Sequence, residues 1–326
     1  MSKLNNPALK TILVTGATGF VGTALCEVLL EQGVNVRAAV RKVDSQSASN
    51  AVSIGEINSD TDWADALSGV DIVVHLAARV HVMNETATDA LAAYRKVNVE
   101  GSVHLAQAAV KAGVKRLIFI SSIKVNGEGT RLGHPYTPED KPAPADPYGV
   151  SKLEAEIALR HLAKETTLEV VIIRPPLIYG PGVKANFKSM LSIVNKGLPL
   201  PLGAIHNKRS LIALDNLIDF IICCINHPAA ANETFLVSDG EDVSTPELLK
   251  QVAKALNKKL FLIPVPTALL KGFASVVGKK AFAQRLCESL QVDISKSYTL
   301  LSWTPAFKLD EALLKTAIYH KHRQFD

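Results

Sequence analysis

The sequence predicts an α/β chain built on a doubly wound parallel sheet, with a smaller C-terminal lobe. Three observations predict it. Residues 11–22 read Thr-Ile-Leu-Val-Thr-Gly-Ala-Thr-Gly-Phe-Val-Gly, an apolar run delivered straight into three glycines spaced three apart. Apolar runs then alternate with segments of helical periodicity through the first 175 residues, the pattern of a parallel sheet with helices on both faces. With 326 residues, 48% of them hydrophobic, the chain is also long enough to bury one large core and part of a second.

The elements follow in order. Ile12, Leu13 and Val14 form the run expected of a strand covered on both faces. Phe20, Val21, Leu25, Val28 and Leu29 then recur at helical spacing up to residue 32. Between them, Gly16 permits the sharp turn, Gly19 lets the backbone approach phosphate oxygens, and Gly22 lets helix and strand pack closely. The free N–H groups of the helix N-terminus favour an anion there, so this is a Rossmann-type dinucleotide site that includes Thr18, Phe20 and Val21. Strands are expected over residues 35–40, 72–76, 116–121 and 169–174, and helices near 63–67 and over 94–112 and 147–164. Residues 44–50, rich in Ser and other polar side chains, read as a loop. Residues 1–175 are therefore the expected dinucleotide-binding domain. After Pro175-Pro176 the pattern loosens, and residues 176–326 are read as mainly a substrate-binding lobe. That lobe has candidate helices at 216–225, 245–256 and 310–320, and residues 235–237 form a candidate strand returning to the main sheet.

Composition narrows the partners. A formal charge of +5 is too small to argue for nucleic acid. No stretch has the uninterrupted apolar length of a membrane span, and the first residues lack a secretory core, so a cytoplasmic location is expected. Cys26, Cys223, Cys224 and Cys287 have no metal-ligand spacing and read as structural thiols; no metal is expected.

Two features point to chemistry. The segment 36–41 ends in Arg41, with no acid where a site for NAD usually holds the adenosine ribose. A permanently charged planar fork suits a 2′-phosphate, which favours NADP(H) over NAD(H); Arg41 capping the strand or stacking on adenine is compatible with either. Glu56 and Ile57 fall near the expected adenine edge. Further on, Tyr148 and Lys152 stand one helical turn apart after Pro147. An ammonium beside a phenol favours the phenolate and lowers its pKa toward neutrality, making tyrosine a usable proton donor and acceptor. Ser122, at the carboxyl end of the strand Phe119-Ile120-Ser121-Ser122, is placed to hydrogen-bond the same substrate oxygen.

Gly16-x-x-Gly19-x-x-Gly22, His75-Leu76-Ala77-Ala78, Asn98-Val99-Glu100-Gly101, Ser121-Ser122, Tyr148-x-x-x-Lys152 and Arg174-Pro175-Pro176 to Gly180-Pro181-Gly182 together resemble the extended short-chain dehydrogenase/reductases over nearly the whole chain. The resemblance implies catalytic roles for Ser122, Tyr148 and Lys152, with Lys152 also holding the nicotinamide ribose. It implies cofactor contacts from Leu76, Ala77, Ala78, Ser121 and Pro175, and a supporting role for Asn98 beneath the central helix. The second half resembles the nucleotide-sugar branch, in particular UDP-sugar 4-epimerases and reductases of UDP-4-keto-6-deoxy-N-acetylhexosamines. By that likeness Asn186 and Phe187 contact the sugar diphosphate and uridine, Leu200, Pro201 and Leu202 flank the uracil, and Arg209 and Arg285 pair the diphosphate. Two departures stand out. Ile123-Lys124-Val125-Asn126-Gly127 replaces a segment that commonly ends Tyr-Gly, which alters the expected ceiling of the sugar site and places Lys124 to meet a ketone, an acetamido carbonyl, a phosphate or solvent. Leu177 stands where many relatives carry Asn.

Both leading readings share reversible hydride transfer at a sugar C4. Because Arg41 points to NADPH, the sequence favours a 4-ketoreductase acting on a UDP-4-keto-6-deoxy-N-acetylhexosamine in surface polysaccharide synthesis. The alternatives are a UDP-sugar 4-epimerase, reduction of a hydrophobic ketone and, more remotely, a non-catalytic dinucleotide sensor. The resemblance further suggests a homodimer through the helices 94–112 and 147–164, whose apolar faces could instead simply cover the sheet.

Overall fold

The computed structural model describes residues 2–3, 10–43, 50–80, 89–276, 278 and 280–322. Of the expected polar loop only residue 50 lies within them. The first half lays down β1 (Thr11–Thr15), α1 (Phe20–Glu31), β2 (Asn35–Val40), β3 (Ala51–Ser53), α2 (Ala64–Leu67) and β4 (Ile72–His75). It continues with α3 (Ala90–Arg95), α4 (Ser102–Lys111), β5 (Arg116–Ile120), α5 (Pro147–Glu165) and β6 (Glu169–Arg174). These strands, with the later β9 below, form a seven-stranded sheet in the order β3-β2-β1-β4-β5-β6-β9, parallel in every pairing.

Both faces of this sheet are covered, which is why its strands are apolar without alternation. Ile12, Val14, Ile118, Ile120, Val171 and Ile173 pack on one side with α1. Leu13, Val73, Leu117, Phe119, Val170 and Ile172 pack on the other with residues of α2, α4 and α5. The strand order reverses between β1 and β4, so the carboxyl ends of those two strands flank the crevice where such sheets bind ligands.

Two elements differ from expectation. The helix foreseen over 94–112 is divided: α3 and α4 are joined by one π turn, Lys96–Gly101. Helical periodicity runs through all three pieces, so spacing alone cannot show the extra residue. The edge strand β3 is only three residues long, two half-buried and Ser53 exposed, too short to produce a pattern.

The second half adds β7 (Leu177–Tyr179), α6 (Ala185–Asn195), β8 (Leu211–Ala213), α7 (Leu214–Asn226), β9 (Thr234–Leu236) and α8 (Thr245–Leu256). It ends with α9 (Thr267–Val276), α10 (Lys280–Cys287), α11 (Ser295–Leu301) and α12 (Leu309–His322). β9 returns to the main sheet, with Phe235 opposite Ile173, while β7 and β8 form a small parallel pair of their own. A separate core of Tyr179, Phe187, Leu191, Leu249, Val252 and Leu313 joins α6, α8 and α12 to that pair.

The tightest point of the fold is the first turn. Gly16 has φ of +68°, and a Cβ there would lie 2.8 Å from Ala77 N. A Cβ on Gly22 would stand 2.1 Å from Gly16 O and 2.8 Å from Ala17 Cα, both backbone atoms that cannot swing away. Gly22→Ala should therefore separate α1 from β1 and cost about 1–3 kcal/mol or more, read as a lower urea midpoint; an unchanged midpoint would refute the close packing.

Candidate active site

The crevice is assembled from the ends of β1, β4 and β5 and the start of α5. At β1, Gly19 is the N-cap of α1 and offers no side-chain cap, so the first N–H groups of the helix remain available. Thr18 and Gly19 are exposed, whereas Phe20 and Val21 are half-buried and pack against the core under the turn. Facing them, Leu76, Ala77 and Ala78 follow directly on β4; Leu76 N donates to Thr15 O and Ala77 N to Thr15 Oγ1. A bare helix N-terminus, a glycine without a Cβ at its mouth and small residues opposite fit a dinucleotide diphosphate.

Beneath this cradle His75 joins three elements. Its Nδ1 lies 2.6 Å from Thr15 Oγ1, its Nε2 lies 2.9 Å from Ser102 Oγ, and its ring stacks on Phe119. Burial, and next the nearby Lys152, push its pKa down to about 3, so it is neutral and serves as a strut. Asn98, buried in the π turn, supplies a second strut. Its Oδ1 accepts from Arg79 N, and its Nδ2 donates to Arg79 O and to Ser151 Oγ. It thus ties the loop after β4 to α5.

Asp146 caps α5 by accepting from Gly149 N at 2.7 Å, and Pro147 occupies the first helical turn. That cap sets the position of Tyr148, whose ring meets Tyr94 edge to face and whose phenol is hydrogen-bonded to the Ser122 side chain. One turn on, Lys152 is buried. Its Nζ donates to Ile120 O at 2.8 Å and lies 4.4 Å from the centre of the Phe119 ring. Ser122, Tyr148 and Lys152 are thus brought together as the sequence proposed, but their electrostatics differ. Tyr148 is half-exposed at the cleft, yet burial of its hydroxyl pushes its pKa up to about 12, partly opposed by the Ser122 hydrogen bond. Burial likewise pushes Lys152 down to about 7, against the attraction of Glu156. The expected lowering of the phenol pKa by its ammonium neighbour is not what this arrangement gives, because desolvation acts on both groups and dominates.

Several expected ligand contacts turn inward. The Ser121 hydroxyl donates to Glu156 in the interior, although its backbone still ends the β5 ladder. Phe187, 2% exposed, stacks on Tyr179 at 5.4 Å, so its side chain anchors α6 in the core and does not stand free for a ligand. Lys124 is held between Asp146 and Glu128, and its ammonium steadies the cap of α5 instead of standing free for a substrate. Asn126, taken as part of an altered ceiling, is buried; its Oδ1 accepts from Arg174 Nη1.

Asn186 is exposed at the start of α6, next to Ala185 with φ of +53°. Arg209 Nη1 donates to Arg285 O and Glu288 O, which brings Arg209 and Arg285 together from segments far apart in the chain. Burial and then Arg285 lower the pKa of Arg209. Leu200 bridges to Leu262 and packs on the second core, with Leu202 beside it, while Pro201 is exposed. Pro175 is buried and its carbonyl accepts from Ile123 N. Arg41 follows the end of β2, where its guanidinium lies 3.6 Å from Glu56 Oε1, both side chains exposed. Ile57 is packed between the second face of the sheet and Gly101.

Sequence reasoning missed the centre of the arrangement. Glu156 and Arg174 form a buried bidentate pair, Nε to Oε1 at 2.9 Å and Nη2 to Oε2 at 2.6 Å, beneath Ser121 and Asn126. The signal was a charged residue closing a strand after the apolar run 170–173, and a glutamate four residues after Lys152.

The profile of the NAD dependent epimerase/dehydratase family matches residues 12–238. The chain belongs to that family. Among other members it is 50% identical over 310 residues to the UDP-glucose 4-epimerase of Vibrio cholerae, covering 94% of each chain. It is 30% identical over 322 residues to the N-acetyl-α-D-glucosaminyl-diphospho-ditrans,octacis-undecaprenol 4-epimerase of Escherichia coli O157:H7, again covering 94% of each. The fold is shared with the crystal structure of UDP-N-acetylglucosamine 4-epimerase from Bacillus cereus, with a TM-score of 0.78 at 20% identity, covering 96% of this chain and 99% of that one. As an epimerase/dehydratase family member, the chain is an enzyme built around a nicotinamide dinucleotide site.

The buried lysine makes the stability of this family member pH-dependent in a stated direction. Its pKa is about 7 in the fold against a usual 10.5. Below pH 7 the fold bears the full cost of the buried charge. Between the two values the unfolded chain holds more protons, so stability rises with pH. Urea midpoints of the native protein should gain on those of Lys152→Met from pH 7 to 10; a constant difference would show that Lys152 keeps its ordinary pKa. Removing Glu156 by Glu156→Ala should cost about 3–5 kcal/mol by leaving Arg174 charged and unpaired in the interior, and urea unfolding measures it directly.

Proposed function

We propose that the protein is a UDP-sugar 4-epimerase, interconverting C4 epimers of a UDP-hexose or UDP-N-acetylhexosamine with a retained nicotinamide dinucleotide. The observation that carries this reading is the Ser122–Tyr148–Lys152 cluster at the mouth of the dinucleotide crevice, in a chain half identical along nearly its whole length to a UDP-glucose 4-epimerase. The likeness favours epimerisation over the 4-ketoreductase reading that Arg41 had suggested.

The dinucleotide supplies a reversible hydride acceptor beside the sugar C4. The chain's own residues orient and move the proton. Tyr148 would take the C4 hydroxyl proton as the C4 hydride is removed, and would return that proton to the same oxygen when hydride is delivered to the opposite face of C4. Ser122 holds the same oxygen through the hydrogen bond it now makes to the phenol. With its pKa pushed up to about 12 by burial, the phenol is protonated at neutral pH and needs a nearby positive charge to become more acidic. Lys152, buried one turn away, is the cation placed to do that, and the Ile120 carbonyl holds its ammonium in position. Arg209, with Arg285 beside it, faces the sugar diphosphate in this reading, and Asn186 the uridine side of α6. Residues 1–175 carry the dinucleotide and most of 176–326 the UDP-sugar.

Glu56 supports NAD(H). No acid closes β2, but tertiary structure brings this carboxylate within 3.6 Å of Arg41, where it can accept the ribose hydroxyls and would repel a 2′-phosphate.

An NMR assay with UDP-glucose and with UDP-N-acetylglucosamine should show conversion to the galacto epimer without net consumption of NAD(P)H. Stoichiometric oxidation of NADPH by a 4-keto sugar nucleotide, with no interconversion, would establish the reductase instead. Tyr148→Phe should lower kcat by about 10²–10⁴-fold with little change in KM; full turnover by that variant would defeat the mechanism.

A further inference from the structure

α9 shows its large apolar side chains to solvent. Leu269, Phe273 and Val276 recur at i, i+4 and i+7, one helical face, and are 65%, 72% and 87% exposed, whereas the small Ala274 is the buried residue. The extended segment leading into the helix continues the pattern, with Phe261 58% and Ile263 50% exposed at alternate positions. This segment is ordered by ladder bonds: Leu200 N donates to Phe261 O, Ile263 N to Leu200 O and Gly203 N to Ile263 O. An ordinary surface helix turns such residues inward, and a contiguous apolar face left outside marks a contact surface.

Its charge setting says what the contact is. Between Glu247 and Glu288 the sequence has eight basic residues and no acidic one, in a chain that otherwise carries 31 acidic residues. Lys258, Lys259, Lys271 and Arg285 from this run are exposed. The nearest compensation is Glu288, which accepts from Lys271 at 3.4 Å. A second copy of the chain seated symmetrically on this face would set two cationic runs against each other, with Glu288, already engaged by Lys271, the nearest carboxylate on each side. An anionic bilayer answers both features at once: its interface takes the apolar face and its headgroups pair the cations. α9 has ten residues and no described helix is long and apolar enough to cross a membrane, so such binding is in the plane of the surface.

We propose that the surface formed by residues 258–276 docks the protein onto an anionic lipid bilayer. The surface is fixed to the candidate substrate side of the molecule, because Arg209, Asn207 and Thr245 all donate to backbone carbonyls at residues 285–288, just beyond it. The inference stands independently of which sugar is epimerised.

Flotation with vesicles of phosphatidylcholine containing about 30 mol% phosphatidylglycerol tests it. The full-length protein should float with these vesicles, at least about fivefold less with phosphatidylcholine alone, and less again as salt is raised. The triple variant Leu269→Ser, Phe273→Ser, Val276→Ser should lose about tenfold in vesicle binding while keeping its turnover of UDP-sugars in solution. Lys258→Glu with Lys259→Glu reads the electrostatic half separately and serves if the triple variant does not fold. Failure of the native protein to float, or flotation unchanged in both variants, overturns the proposal. So does light scattering showing that the native protein is a dimer in solution and that the triple variant is a monomer, with no vesicle binding by either; the face would then be a protein interface.

Discussion

The ion pair between Glu156 and Arg174 is the constraint on which the rest of the site depends. Both residues are withdrawn from water, the carboxylate from the middle of α5 and the guanidinium from the end of β6. Two charges in the interior are tolerated only when every lone pair and proton finds a partner. Here each carboxylate oxygen and each guanidinium nitrogen has one: Glu156 also accepts from Ser121 and Arg160, and Arg174 also donates to Asn126. The pair therefore joins the end of β5, the 3-10 turn Ile123–Val125 after Ser122, the helix that carries Tyr148 and Lys152, and the last inner strand of the sheet. Misplacing any one of these moves the reactive side chains relative to the crevice.

Above that pair the cleft is built from groups that hold position and groups that can change protonation. His75, Asn98 and Lys124 belong to the first kind. Each has the chemistry to meet a ligand, and each is fully engaged with the protein: His75 with Thr15 and Ser102, Asn98 with Arg79 and Ser151, Lys124 with Asp146 and Glu128. Tyr148 and Lys152 belong to the second. Burial displaces the pKa of each toward its neutral form, upward for the phenol and downward for the ammonium. A neutral pair avoids the cost of isolated buried charge, and its protonation is set by whatever charges lie beside it.

The same division explains why this chain departs from the expected sugar site. Lys124 and Asn126 lie in the segment that replaces the usual one after the serine, where the sequence leaves Lys124 open to ligand or solvent. Asn126 is instead spent on Arg174, and Lys124 on the carboxylate that caps α5. Changes to the sequence near a reactive residue can thus alter the support under the site and leave its lining alone, a distinction that depends on which way a side chain points.

The parallel sheet, the glycine turn and the grouping of Ser122, Tyr148 and Lys152 were legible in the sequence because each is local. Apolar runs set the strands, close packing with no room for a Cβ demands glycine at 16 and 22, and a spacing of four puts a tyrosine and a lysine on one helical face. What tertiary structure alone decided is long-range or directional. Glu56 reaches Arg41, Arg285 reaches Arg209, Glu156 meets Arg174, and Phe187 turns into the core while Phe273 turns out of it. Residue identity specifies which bonds a side chain can make; only the packing of distant segments specifies which partner is within reach and how much water remains, and both partner and water determine the protonation of Tyr148 and Lys152.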